Sequence, residues 1–72
     1  HWSERLDAQS SLVAATQQAL TLSQARFKAG ADDYLSVLDA QRSLYAAQQT
    51  HLTLRLAEQV NRITLYKVLG GG

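Results

Sequence analysis

Leu6, Val13, Leu20 and Phe27 recur every seven residues, and Leu12 and Ala19 repeat that interval one position earlier. Between them stand mostly Ala, Gln, Ser and Thr. A seven-residue apolar repeat is the signature of a helix that buries one narrow stripe against another helix, so a helix is expected over about residues 2 to 29. Arg26 and Lys28 precede Gly30. Cations in a last turn, followed by a residue free to take positive φ, mark a helix C-terminus. The chain then offers Asp32 and Asp33, whose carboxylates suit the free N–H groups and positive end of a following helix. Past a turn at about 30 to 32, the heptad interval returns as Leu38, Tyr45 and Leu52 and then as Leu56 and Ile63, with Val37 and Leu44 on an adjacent row. A second helix is expected over about residues 33 to 69, closing at Gly70.

At ~1.5 Å per residue the two helices would measure roughly 42 and 55 Å. A loop of about two to four residues between elements of that length forces an antiparallel hairpin. The expected fold is therefore all-α: a coiled-coil-like, antiparallel two-helix hairpin occupying the whole chain as one unit. Leu6 should lie opposite about residue 56, which leaves the turns from Val60 to Leu69 without a partner in this chain. Ile63, Leu65, Tyr66, Val68 and Leu69 would then form an uncovered apolar end. This implies a piece of a larger protein, an oligomer, or both. Residues 6 to 15 and 38 to 47 agree at eight of ten positions; duplication and a shared packing constraint explain that echo equally well.

Composition narrows the choice of function. The chain has 72 residues, no Cys, no Pro, and two His fifty positions apart, so neither a disulfide scaffold nor a zinc module is available. A net charge of +1 with 18% charged residues gives no basis for binding nucleic acid or anionic lipid. No secretory signal is read at the N-terminus. Ala8 to Ala25 is free of charge, but its many Gln, Ser and Thr side chains belong in water or against protein rather than in hydrocarbon.

No catalytic or cofactor-binding constellation is found. His51 has no Ser or Cys at a persuasive spacing and reads as a solvated or interface residue. Asp32, Asp33 and Asp39 lack the further oxygens and terminal Glu of a calcium loop; the first two read as caps, and Asp39 as a solvated residue paired with Arg42. Tyr34, Tyr45 and Tyr66 read as seam or interface residues, and Trp2 as an exposed helix end.

One stretch carries a resemblance. Residues 26 to 48, from Arg26-Phe27-Lys28-Ala29-Gly30 through Tyr34-Leu35-Ser36-Val37-Leu38-Asp39-Ala40-Gln41-Arg42, resemble the C-terminal periplasmic hairpin of TolC-type outer membrane channels, above all the efflux lipoproteins of the OprM and NodT branch. The closing Leu65-Tyr66-Lys67-Val68-Leu69-Gly70-Gly71-Gly72 resembles the point where an α-barrel helix of that family ends. The resemblance implies a segment of an α-barrel within a homotrimeric channel, part of a tripartite efflux pump, lying on the periplasmic side of a Gram-negative outer membrane. It implies as partners a periplasmic adaptor, the membrane fusion protein, and an inner-membrane transporter. It carries Arg26, Gly30, Tyr34 and Leu35 over as residues of the adaptor-docking turn, and Asp39 as a pore-facing side chain. Ser36 and Asp32 depart from the family pattern, standing where some relatives have a second carboxylate and a gating Arg. On its own the pattern also fits a generic hairpin serving as a structural or oligomerisation module. The isolated chain is expected to self-associate.

Overall fold

The structure, a computed structural model, describes residues 2–70, with the backbone alone of Trp2; the Trp2 side chain and Gly71 and Gly72 of the closing glycine run lie outside the described residues. Helix α1 spans Trp2–Lys28 and helix α2 spans Tyr34–Val68. They pack antiparallel in a rod of 61 × 16 × 13 Å, the all-α hairpin expected from the heptads. The radius of gyration is 17.7 Å, against about 11 Å for a compact domain of this length. No helix among the described residues is long and apolar enough to cross a membrane.

The ends of the helices follow from their residues. Gly30 has φ +74° and donates its N–H to the Phe27 carbonyl, while Ala31 donates to the Arg26 carbonyl at 2.9 Å. These two bonds form a Schellman ending, which satisfies the last carbonyls of α1 at the cost of one left-handed residue. Asp33 is the N-cap of α2, in an extended conformation, and its carboxylate accepts the Ser36 N–H at 3.2 Å. Gly70 closes α2 much as Gly30 closes α1, with φ +76° and its N–H donated to the Lys67 carbonyl.

On α1 the contact between the helices follows the expected row of Leu6, Val13 and Leu20, whereas on α2 it lies elsewhere than the strongest sequence row suggests. Leu20, Val37, Leu44 and Ala47 are buried, and Val13 and Ala40 pack against the cluster that Leu20, Val37 and Leu44 form. The hairpin face of α2 is therefore the row Val37, Leu44, His51 and Glu58, flanked by Ala40, Ala47 and Leu54. Tyr45, Leu52, Leu56 and Ile63, the larger row, point away from α1; Leu44 is 4% exposed and Tyr45 60%. Neighbouring residues on a helix stand about 100° apart around its axis, so a row displaced by one position occupies a different side. Leu12 and Ala19 likewise lie on the outside of α1, not beside its seam. From Gln59 onward every described residue is exposed, so the last turns of α2 have no cover within the chain.

Candidate functional site

The turn is held by one connected set of polar contacts. Arg26, in the last turn of α1, directs Nε to Asp32 Oδ2 and Nη2 to the Ala31 carbonyl, both at 3.4 Å. Asp32 Oδ1 accepts the Asp33 N–H and the Ser36 hydroxyl, both at 2.9 Å. Asp32 thus joins the end of one helix to the start of the next, while Asp33 performs the capping that either residue could have supplied. The Ser36 hydroxyl first, then the Asp33 N–H, and more weakly Arg26, hold the Asp32 carboxyl below its ordinary value of 3.8.

That shift gives an acid limb to the turn. A carboxyl with a depressed folded value contributes fully above its unfolded value and loses that contribution as pH falls through the folded one. The turn should therefore keep its shape at neutral and mildly acidic pH and loosen only below about pH 4. The amide chemical shift of Asp33, which donates to Asp32 Oδ1, followed by NMR against pH, checks this; Asp32→Asn should reduce the acid-dependent change.

Around this network the turn presents apolar surface. The rings of Phe27 and Tyr34 meet edge to face with centroids 5.2 Å apart, a favourable aromatic geometry. They form one wall of an open groove completed by Gln24, Lys28, Val37 and Gln41. Leu35 is 62% exposed beside it. Of the turn residues singled out in the sequence, Gly30, Tyr34 and Leu35 lie open at the tip, whereas Arg26 is occupied in bracing it. Asp39 stands five residues beyond Tyr34, exposed, with an ion pair to Arg42 at 3.8 Å; with both partners mostly in water, that pair contributes little to stability. Asp39 belongs to a third face of α2, distinct from both the α1 contact and the row of Tyr45 and Leu52, where Ser43, Ala46, Thr50 and Thr53 are also exposed.

The heptads did not reveal two features. Phe27 pairs with Tyr34 across the turn, a contact that depends on the Schellman geometry rather than on spacing. His51 is half-buried on the seam and lines a polar crevice with Leu6, Asp7, Ser10, Arg55 and Glu58; the interval Val37, Leu44, His51, Glu58 is its sequence signal. Among the described residues no group of His, Cys, Asp and Glu is arranged to hold a metal ion.

The family model described as outer membrane efflux protein matches residues 2–71. The chain is similar to the cation efflux system protein CusC of Escherichia coli, with 47% identity over 96% of the chain and 15% of the relative. It is also similar to the toluene efflux pump outer membrane protein TtgC of Pseudomonas putida, with 44% identity over 96% of the chain and 14% of the relative. The antibiotic efflux pump outer membrane protein ArpC of Pseudomonas putida shows the same 44%. The chain thus spans about a seventh of the length of these relatives. No solved structure matches it.

Proposed function

Because the chain belongs to the outer membrane efflux protein family, we propose that its two helices are adjoining staves of the periplasmic tunnel of a trimeric outer membrane channel in a tripartite efflux pump. In this reading the turn at residues 29–33 docks the periplasmic adaptor, which couples the channel to an inner-membrane transporter. The chain acts as conduit and binding element, with no bond-making chemistry of its own.

The observation that carries the proposal is that each helix has a second apolar seam which the hairpin leaves uncovered. On α1 it is small, running through Ala8, Leu12, Ala15, Ala19 and Leu22; on α2 it is large, running through Tyr45, Leu52, Leu56 and Ile63. Both seams are built from three-, four- and seven-residue steps, the spacing that knobs-into-holes packing requires. A wall stave needs a neighbour on each side, and large side chains on one stave fit against small ones on the next. The third face of α2, with Asp39 among small and hydroxyl side chains, suits a water-filled lumen. The similarity extends to relatives named for cations and for toluene at nearly equal identity. This agrees with a hairpin that forms the conduit and leaves the choice of cargo to other parts of the pump.

The docking role is tested with a photo-crosslinking side chain placed at Leu35 in the full-length protein carrying this hairpin. Adduct formation with the adaptor is expected from Leu35 and not from Thr53, which lies on α2 about 27 Å from the tip at 1.5 Å per residue. Equal adducts from both positions, or none from either in an active pump, would contradict it.

A further inference from the structure

The two helices are bound together unequally along their length. Near the turn the seam is apolar and closed: Val13, Leu20, Val37, Ala40 and Leu44 pack as one cluster, Ala47 is buried beside it, and the contacts of Arg26, Asp32 and Ser36 tie the helix ends. Farther from the turn, the α2 row changes from Val37 and Leu44 to His51 and Glu58. Leu6 there lines a crevice with Asp7, Ser10, His51, Arg55 and Glu58, and the apolar residues of this section, Leu6, Leu54 and Ala57, are only half-buried. Glu58 pairs with Arg62 at 2.6 Å, along its own helix. Gln9 turns its carbonyl oxygen into the protein, where that oxygen has no hydrogen-bond partner. Polar seam residues that bond along one helix, or not at all, do not fasten that helix to its neighbour.

We propose that the hairpin is a fork clamped at its tip: residues 13 to 47 move as one rigid unit, while the helices shift against each other at the polar section formed by Leu6, Gln9, His51 and Glu58. Regions of a fold that bury few apolar contacts open at lower free energy than its closed core. A change of separation in this section breaks no cross-helix ion pair or hydrogen bond among those found at Glu58 and Gln9, whereas one near the turn would expose Leu20, Val37 and Leu44 to water. The tip can therefore change its angle relative to the far ends without unpacking. This device belongs to the hairpin itself and does not depend on what the tip docks.

Hydrogen exchange read by mass spectrometry on the assembled full-length protein tests it. Amides of residues 3–11 and 50–58 should exchange at least about tenfold faster than those of residues 14–28 and 37–47. His51→Leu continues the apolar row of Val37 and Leu44 and should slow exchange in the far segments by a similar factor while leaving the clamp unchanged; His51→Gln, which keeps the section polar, should not. If His51→Leu does not assemble, Gln9→Leu provides the same readout from the other helix. Uniform protection along both helices, or fast far segments that neither apolar variant slows, would overturn the proposal.

Discussion

Gly30→Val is expected to abolish adaptor pairing and efflux in the full-length protein while leaving both helices formed. Gly30 has φ +74°, and a Cβ built there meets no heavy atom within 4 Å. The damage is therefore conformational rather than steric. An L-residue in the left-handed region costs about 1–2 kcal/mol, and a β-branched one fares worse than most. Relief of that strain requires leaving the conformation that allows Gly30 to bond the Phe27 carbonyl and Ala31 to bond the Arg26 carbonyl. Loss of those bonds shifts Asp32 away from Arg26 and separates Phe27 from Tyr34, so the tip loses its shape. Gly30→Asn is the control: Asn tolerates the same region and should retain most of the pairing. Adaptor capture and efflux measured beside helix content decide the matter. Unchanged capture and efflux in Gly30→Val would remove the docking assignment.

The second large effect separates two residues adjacent in the chain. Leu44→Ala should destabilise the hairpin by about 2–3 kcal/mol, at the low end for a buried Leu because a two-helix seam can partly collapse into the space. Leu44 is the central buried side chain of α2. Tyr45→Ala should change the hairpin itself by no more than about 0.5 kcal/mol, since Tyr45 is exposed in it. In the assembled channel the order should change: Tyr45→Ala should lower the temperature at which the trimer dissociates, because it removes a large knob from the outward seam. Thermal melts of the isolated chain, diluted until it is monomeric, set beside trimer dissociation of the full-length protein, distinguish the two roles. A Tyr45→Ala trimer as stable as the parent would argue that this face stands free.

The sequence disclosed the helices and their ends more readily than it disclosed their partners. Gly30 and Asp33 mark a stop and a start because backbone conformation and capping act over a few residues, and the heptad interval over both segments specifies helices that pack on helices. The choice of seam is a different matter. Leu38, Tyr45 and Leu52 form a more hydrophobic row than Val37, Leu44 and His51, yet the second row closes the hairpin. Hydrophobicity records that a face is covered, not whether a neighbouring helix of the same chain or another part of the assembly covers it. A helix with two apolar seams is therefore ambiguous until a partner is placed beside it. The turn network was hidden for a related reason: Arg26 and Asp32 are six residues apart, a spacing that brings side chains together only through the reversal of the chain at Gly30. His51 stands isolated in the sequence because its seam neighbours, Leu44 and Glu58, are seven residues away on either side, and the crevice it lines takes its opposite wall from α1.

In the assembled channel the outward face of α2 is expected to be covered by a neighbouring stave, and Asp39 to face water. Maleimide labelling of single-cysteine variants in the assembled full-length channel tests both together. Leu52→Cys should label at least about tenfold more slowly than Asp39→Cys, because a packed seam excludes the reagent and a wet lumen admits it; the two should label alike in the isolated, dissociated chain. Labelling of Leu52→Cys in the assembled channel as fast as that of Asp39→Cys would mean that the face is bare, and the wall assignment would not survive it.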